Sequence, residues 1–158
     1  NIFRENFGLR VFIEPGAALV RRAGTIEATV HDLFESDGLP IAVLDTTVNH
    51  MAEVFEFQFE PDVLGHVDGG VHEYLLAGCT CLAGDIFGEY TFDTPLSIGS
   101  RVTFLNMGAY TISKAHRFNG VRLPTLYART PDGALNLIRQ DNFDAFAQTI
   151  GVSANAVA

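Results

Sequence analysis

From Thr25 to Phe34 apolar and polar residues alternate almost singly, and Ser36-Asp37-Gly38 then turns the chain into the apolar run Pro40 to Asp45. A period of two puts one set of side chains on one face of a strand, and that face must be buried against other strands. The pair reads as a hairpin. Further strands are expected at Val54 to Phe59, Tyr74 to Ala77, Thr103 to Leu105, Ala109 to Ala115, Thr125 to Arg129 and Ala134 to Arg139. Pro131-Asp132-Gly133 is the turn between the last two. Many short strands with Gly-rich turns predict a mainly β fold, an antiparallel barrel or sandwich.

The two ends break this pattern. Leu9 to Ile13 reads as a short buried strand stopped by Glu14-Pro15-Gly16, and Ala17 to Ala23 as a short helix closed by Gly24. Near the other end, Asp141 or Asn142 can cap a helix from Phe143 to Ile150, which Gly151 ends. The expected organisation is a strand–helix unit over 1–24, a β-domain over 25–151 and a flexible tail over 152–158.

Bulk properties narrow the functions. With 47% hydrophobic and 18% charged residues, 158 residues can bury one core. No apolar run approaches the roughly 20 residues of a membrane helix, and Asn1 to Asn6 lacks a secretory pattern, so a soluble protein is expected. A net charge of −9 with ten scattered basic residues disfavours nucleic acid. Cys79 and Cys81 are spaced too closely for an easy disulfide, which fits a reducing cytoplasm. His31, His50, His66, His72 and His116 show no two-ligand spacing, so no metal site is expected. Nucleophile-elbow, phosphate-loop and dinucleotide fingerprints are absent from the sequence.

Four ordered motifs carry a more specific message: Glu14-Pro15-Gly16, Cys81-Leu82-Ala83-Gly84-Asp85, Gly108-Ala109-Tyr110-Thr111 and Phe118-Asn119-Gly120. Together they resemble the C-terminal part of the carboxynorspermidine (carboxyspermidine) decarboxylases, relatives of the pyridoxal-phosphate-dependent ornithine and diaminopimelate decarboxylases with an alanine-racemase-like fold. The resemblance runs from about Leu9 to about Arg139. It implies that residues 1–24 are the last unit of a (β/α)8 barrel, that pyridoxal 5′-phosphate is the cofactor, and that a polyamine precursor loses its α-carboxylate.

Roles follow by the same resemblance. Glu14 would face the pyridine nitrogen of the cofactor, while Gly16 and Tyr110 would lie at its phosphate. Cys81 would return a proton after carbon dioxide leaves, and Cys79 would be an ordinary buried thiol. Asp85 and Glu53 would meet substrate ammonium groups, Glu53 standing where the family has Asp. Ala17 occupies a further substrate-contact position, at which the family carries Glu. Lys114, the single lysine, is expected on a surface strand, so the cofactor's lysine would lie outside this chain and the piece alone would be inactive. Two-fold dimers with shared sites are implied as well. The competing readings are an ornithine- or diaminopimelate-type decarboxylase and a non-catalytic binding domain.

Overall fold

The computed structural model describes residues 2–152. An N-terminal helix, α1 (Ile2–Phe7), is followed by an irregular stretch and by α2 (Ala17–Val20), which tightens into a 3-10 turn at Arg21–Ala23. The sheet then begins with β1 (Ile26–Ser36) and β2 (Leu39–Leu44). Asp37 and Gly38 link them with φ of 52° and 81°. Positive φ at both central residues matches the right-handed twist of the flanking strands, which is why an Asp-Gly pair makes this hairpin.

Strand β2 runs parallel to β3 (His72–Ala77), which pairs antiparallel with β4 (Ile86–Phe92); on the other side β1 pairs antiparallel with β5 (Arg101–Phe104). The order is β4-β3-β2-β1-β5, a mixed sheet rather than the all-antiparallel one expected. A parallel neighbour cannot be reached by a tight turn, so the chain must cross over, here through residues 45–71. Part of that crossover also links the two edges of the sheet. Val63 bridges Phe104, Leu64 N–H donates to the Thr103 carbonyl at 2.9 Å, and Val67 N–H donates to the Thr91 carbonyl at 3.0 Å.

The inward residues make one core. Ala28, Val30, Ala42, Leu44, Leu76, Phe87, Val102 and Phe104 are buried, and the Phe87 and Phe104 rings meet at 4.7 Å across β4 and β5. Outside the sheet, β6 (Leu126–Arg129) and β7 (Leu135–Arg139) form a separate hairpin. Helix α5 (Phe143–Thr149) follows, its first turn capped by Asn142 Oδ1 accepting from Ala145 N–H at 2.8 Å. Arg117 clamps Asp141 from two nitrogens, at 2.9 and 2.6 Å, and Leu123 N–H donates to the same carboxylate. That bidentate pair pulls the Asp141 carboxyl down to about 2.

Three expected strands are not strands. Val54 to Phe59 falls in helix α3 (Ala52–Phe57), although its alternation of apolar and polar residues imitates a strand. The parallel crossover accommodates a helix there, with Val54 buried and Glu53, Glu56 and Phe57 gathered on one side. Ala109 to Ala115 leaves the sheet because Met107 and Gly108 N–H groups donate to the carbonyls of Gly24 and Arg21, turning the chain against α2. Tyr110 then takes φ 58° and starts α4 (Thr111–Lys114), so Lys114 sits on a helix. Leu9 to Ile13 is irregular and exposed, with no hydrogen-bonded strand beside it among the described residues. Apolar character alone cannot make a strand without a partner for its backbone groups. Of the expected tail over 152–158, residues 153–158 lie outside the described residues.

Candidate functional site

The motifs meet in three neighbouring places. The first joins the Glu-Pro-Gly turn to Tyr110. Gly16 N–H donates to the Glu14 carbonyl at 2.9 Å, and a Cβ built on Gly16 would stand 2.8 Å from Tyr110 Oη. A side chain at this position would push the phenol hydroxyl away from the turn. Tyr110 is half exposed, and its left-handed backbone is a conformation that persists when its surroundings over-determine it. Here Ser113 Oγ and Lys114 N–H both donate to its carbonyl, each at 2.9 Å. The Glu14 side chain is exposed.

The second place is a cleft of about 390 Å³ whose lining includes Ala17, Arg21, Glu53, Phe57, Asn106 and Thr111. It brings together the two substrate-contact positions Ala17 and Glu53, which are far apart in sequence. Glu53 Oε1 lies 3.6 Å from Lys114 Nζ, and Glu56 Oε2 lies 2.5 Å from the same nitrogen. The ammonium also stands 5.6 Å from the Phe57 ring and 5.5 Å from the Tyr110 ring. Its pKa is raised, first of all by the hydrogen bond it donates to Glu56.

The third place is the cysteine turn. Cys81 N–H and Sγ both donate to Asn119 Oδ1, at 3.3 and 3.4 Å, so the thiol is oriented by the Phe118-Asn119-Gly120 loop. Asn119 and Gly120 have φ of 56° and 73°, the left-handed geometry that turns the amide back toward the thiol. Cys81 is exposed. Cys79 is exposed too, not the buried thiol expected, because its backbone follows the turn while its N–H donates to the Thr46 carbonyl at 3.0 Å. Partial burial, with Asp85 close by, raises the Cys79 thiol above its ordinary range.

Asp85 corrects another expectation. It is buried, and its two oxygens are already taken: Oδ1 accepts from Thr47 Oγ1 at 3.0 Å and Val48 N–H at 2.8 Å, while Oδ2 accepts from Thr80 N–H at 3.0 Å and Thr80 Oγ1 at 2.5 Å. A carboxylate so enclosed has no face left for a substrate ammonium. It clasps the cysteine turn to the Val48–His50 turn, which leads directly into α3 and hence to Glu53. Beside it His50 is buried, its Nδ1 hydrogen-bonded with Thr46 Oγ1 at 3.0 Å and its Nε2 without a partner. Burial lowers the His50 pKa to about 4, so the ring is neutral at neutral pH.

Sequence reasoning missed Thr47, Thr80 and Val48 as ligands of Asp85, and Glu56 as the partner of Lys114. Thr47 and Val48 carry no spacing signal, since they stand 38 and 37 residues from Asp85, and only Thr80, five residues before it, is local. Glu56 had a spacing signal: Glu53, Glu56 and Phe57 stand at i, i+3 and i+4, a helical face that the strand assignment hid. In and beside the motif loops, Phe87 is core and Leu82 packs against the core, while Ile86 and Phe118 stay exposed. Among the described residues no group of His, Cys, Asp or Glu side chains is gathered for a metal ion, and no helix is long and apolar enough to cross a membrane.

The fold is similar to that of a solved decarboxylase. The structure of carboxynorspermidine decarboxylase from Campylobacter jejuni, complexed with norspermidine, matches with a TM-score of 0.81 and 34% identity, over 93% of this chain and 44% of that one. More particularly, the chain is 36% identical over 149 residues to the carboxynorspermidine/carboxyspermidine decarboxylase of Herminiimonas arsenicoxydans, covering 94% of itself and 40% of that protein. It is also 36% identical over 146 residues to the carboxyaminopropylagmatine decarboxylase of Synechocystis, covering 90% of itself and 38% of that relative. The chain thus spans about two fifths of the length of the curated relatives it matches. No protein-family model matches it.

Proposed function

We propose that this chain is the C-terminal part of a pyridoxal-phosphate-dependent decarboxylase that removes the α-carboxylate of carboxynorspermidine or a closely related carboxylated polyamine. The observation that carries the reading is the 36% identity to such a decarboxylase over 94% of the chain. The meeting of Gly16 with Tyr110 and of Cys81 with Asn119 supports it, because each contact joins two of the motifs on which the resemblance rests. The equal identity to a carboxyaminopropylagmatine decarboxylase leaves the cationic tail of the substrate as the variable part.

The residues present fit the cofactor. The Gly16 turn lies against a half-exposed tyrosine whose hydroxyl is a neutral O–H donor suited to a phosphate, and the exposed Glu14 stands beside it. When bound, pyridoxal phosphate supplies an electron sink for the bond that breaks. Glu14 would hold a proton at the pyridine nitrogen, Gly16 and Tyr110 would lie at the phosphate, and Glu53 and the Ala17 position would face the cationic tail. The carbon that loses carbon dioxide takes a proton in its place, and Cys81 Sγ is the donor, aligned by Asn119. Asp85 positions that thiol turn and does not touch substrate. Lys114 is engaged with Glu56 and Glu53, so the lysine that carries the cofactor belongs to a barrel outside this chain.

The domain reading follows: residues 1–24 complete that barrel, which supplies partners for Leu9 to Ile13, and the mixed sheet from residue 25 forms the barrel-like second domain, its edges linked by the 61–67 segment. The protein is a cytoplasmic two-fold dimer with shared sites, consistent with exposed Ile86 and Phe118 at the motif loops. The test uses the full-length protein. Cys81→Ala is expected to lower turnover by about 10²- to 10⁴-fold and Cys79→Ala far less. Mixing Cys81→Ala subunits with subunits lacking the barrel lysine, each inactive alone, is expected to restore part of the activity. Equal effects of the two cysteines, or no recovery despite proven subunit exchange, would refute the thiol's role or the shared site respectively.

A further inference from the structure

The lysine that the mechanism does not use is the most heavily engaged cation next to the cleft. Lys114 Nζ is held by Glu56 at 2.5 Å and by Glu53 at 3.6 Å, and it faces the rings of Phe57 and Tyr110 at 5.6 and 5.5 Å. Its side chain is 34% exposed, so this is a rim position open to water and to a ligand, not a core ion pair. Two carboxylates and two aromatic faces around one nitrogen are the chemistry that binds an aliphatic ammonium. Two of those groups, Glu53 and Phe57, also line the cleft. The ammonium seated there is therefore the protein's own, at the end of a cleft with another carboxylate surface to offer.

We propose that Lys114 is a specificity-determining residue: its ammonium fills the carboxylate–aromatic cage formed by Glu53, Glu56, Phe57 and Tyr110, and so limits how many ammonium groups a substrate can place at that end of the cleft. The inference rests on the reading of the cleft as a polyamine site, and it adds what that reading lacks, a residue that counts charges. With Lys114 in place Glu56 is committed to it, and Glu53, held less closely, is the carboxylate left for substrate. Removing the lysine side-chain charge opens a second cation position beside the first. A diamine has no further ammonium to place there, whereas a triamine does.

The experiment measures binding of 1,3-diaminopropane and norspermidine to the full-length protein by calorimetry, with thermal melts to confirm folding. Lys114→Met and Lys114→Gln are expected to tighten norspermidine binding about five- to tenfold, the value of one rim ion pair with an aromatic face, and to leave the diamine nearly unchanged. The gain should shrink at high salt, which screens exposed charges. Lys114→Arg should behave as the native protein does, and adding Glu56→Gln to Lys114→Met should abolish the gain. Equal weakening of both amines, no change in either, or a gain that survives loss of Glu56 would overturn the proposal. Glu53→Gln tests the underlying reading separately: if it leaves both amines unaffected, Glu53 is not a substrate contact, whatever Lys114 does. Absence of amine binding in every variant would overturn both.

Discussion

Replacing Asp85 by Asn keeps the side chain's shape and volume and removes only its charge and one acceptor oxygen. In the native arrangement each oxygen faces one hydroxyl and one backbone N–H: Oδ1 serves Thr47 Oγ1 and Val48 N–H, and Oδ2 serves Thr80 Oγ1 and Thr80 N–H. An Asn amide must turn its NH₂ toward one of these pairs. The threonine hydroxyl can rotate and accept instead, but the backbone N–H cannot. Either flip therefore leaves a fixed donor facing a donor at a residue only 5% exposed. An unsatisfied buried group costs about 1–3 kcal/mol, and the remaining bonds lose their charge assistance, so Asp85→Asn is expected to cost about 2–3 kcal/mol. For a chain of this size that is a fall of roughly 5–10 °C in melting temperature. Urea unfolding followed by circular dichroism reads it as a lower midpoint with an unchanged slope. In the full-length protein the same change should lower turnover more than it weakens substrate binding, since the loosened turn carries Cys81. An Asn variant within about 0.5 kcal/mol of the native chain would show that the four contacts do not act as a clasp, and the reasoning would fail.

Two further outcomes test other contacts. Asp141 is held at a pKa of about 2 against an ordinary 3.8, so its contribution is present above about pH 4 and is lost as pH falls through about 2. The stability gap between the native chain and Asp141→Asn should accordingly be open at pH 7 and close toward pH 2; a gap constant with pH would show that the Arg117 pairing is not its source. Gly16→Ala puts a Cβ against Tyr110 Oη, so it should weaken pyridoxal-phosphate affinity in the full-length protein about tenfold or more while changing the melting temperature of the cofactor-free protein little, since the turn and phenol are both exposed; unchanged affinity by absorbance titration would remove Gly16 and Tyr110 from the phosphate site.

The sequence determined what short-range chemistry can determine. The β1–β2 hairpin was legible because Asp37-Gly38 supplies two positive-φ residues between alternating runs, and the capped α5 because Asn142 and Gly151 mark its ends. The ordered motifs named the residues around Cys81, Tyr110 and Asn119 and, by resemblance, their chemistry. Tertiary structure decided what depends on partners. Val54 to Phe59 has a strand's alternation but lies in a parallel crossover, where no neighbouring strand competes for its backbone and a helix satisfies it internally. Leu9 to Ile13 has a strand's composition and no partner among the described residues. Asp85 reads as a substrate carboxylate until donors from Thr47, Val48 and Thr80 enclose it, and Lys114 reads as a surface lysine until Glu53 and Glu56 converge on it. Burial and pairing belong to residues far apart in the chain, and a local pattern cannot specify which distant groups will consume a charge.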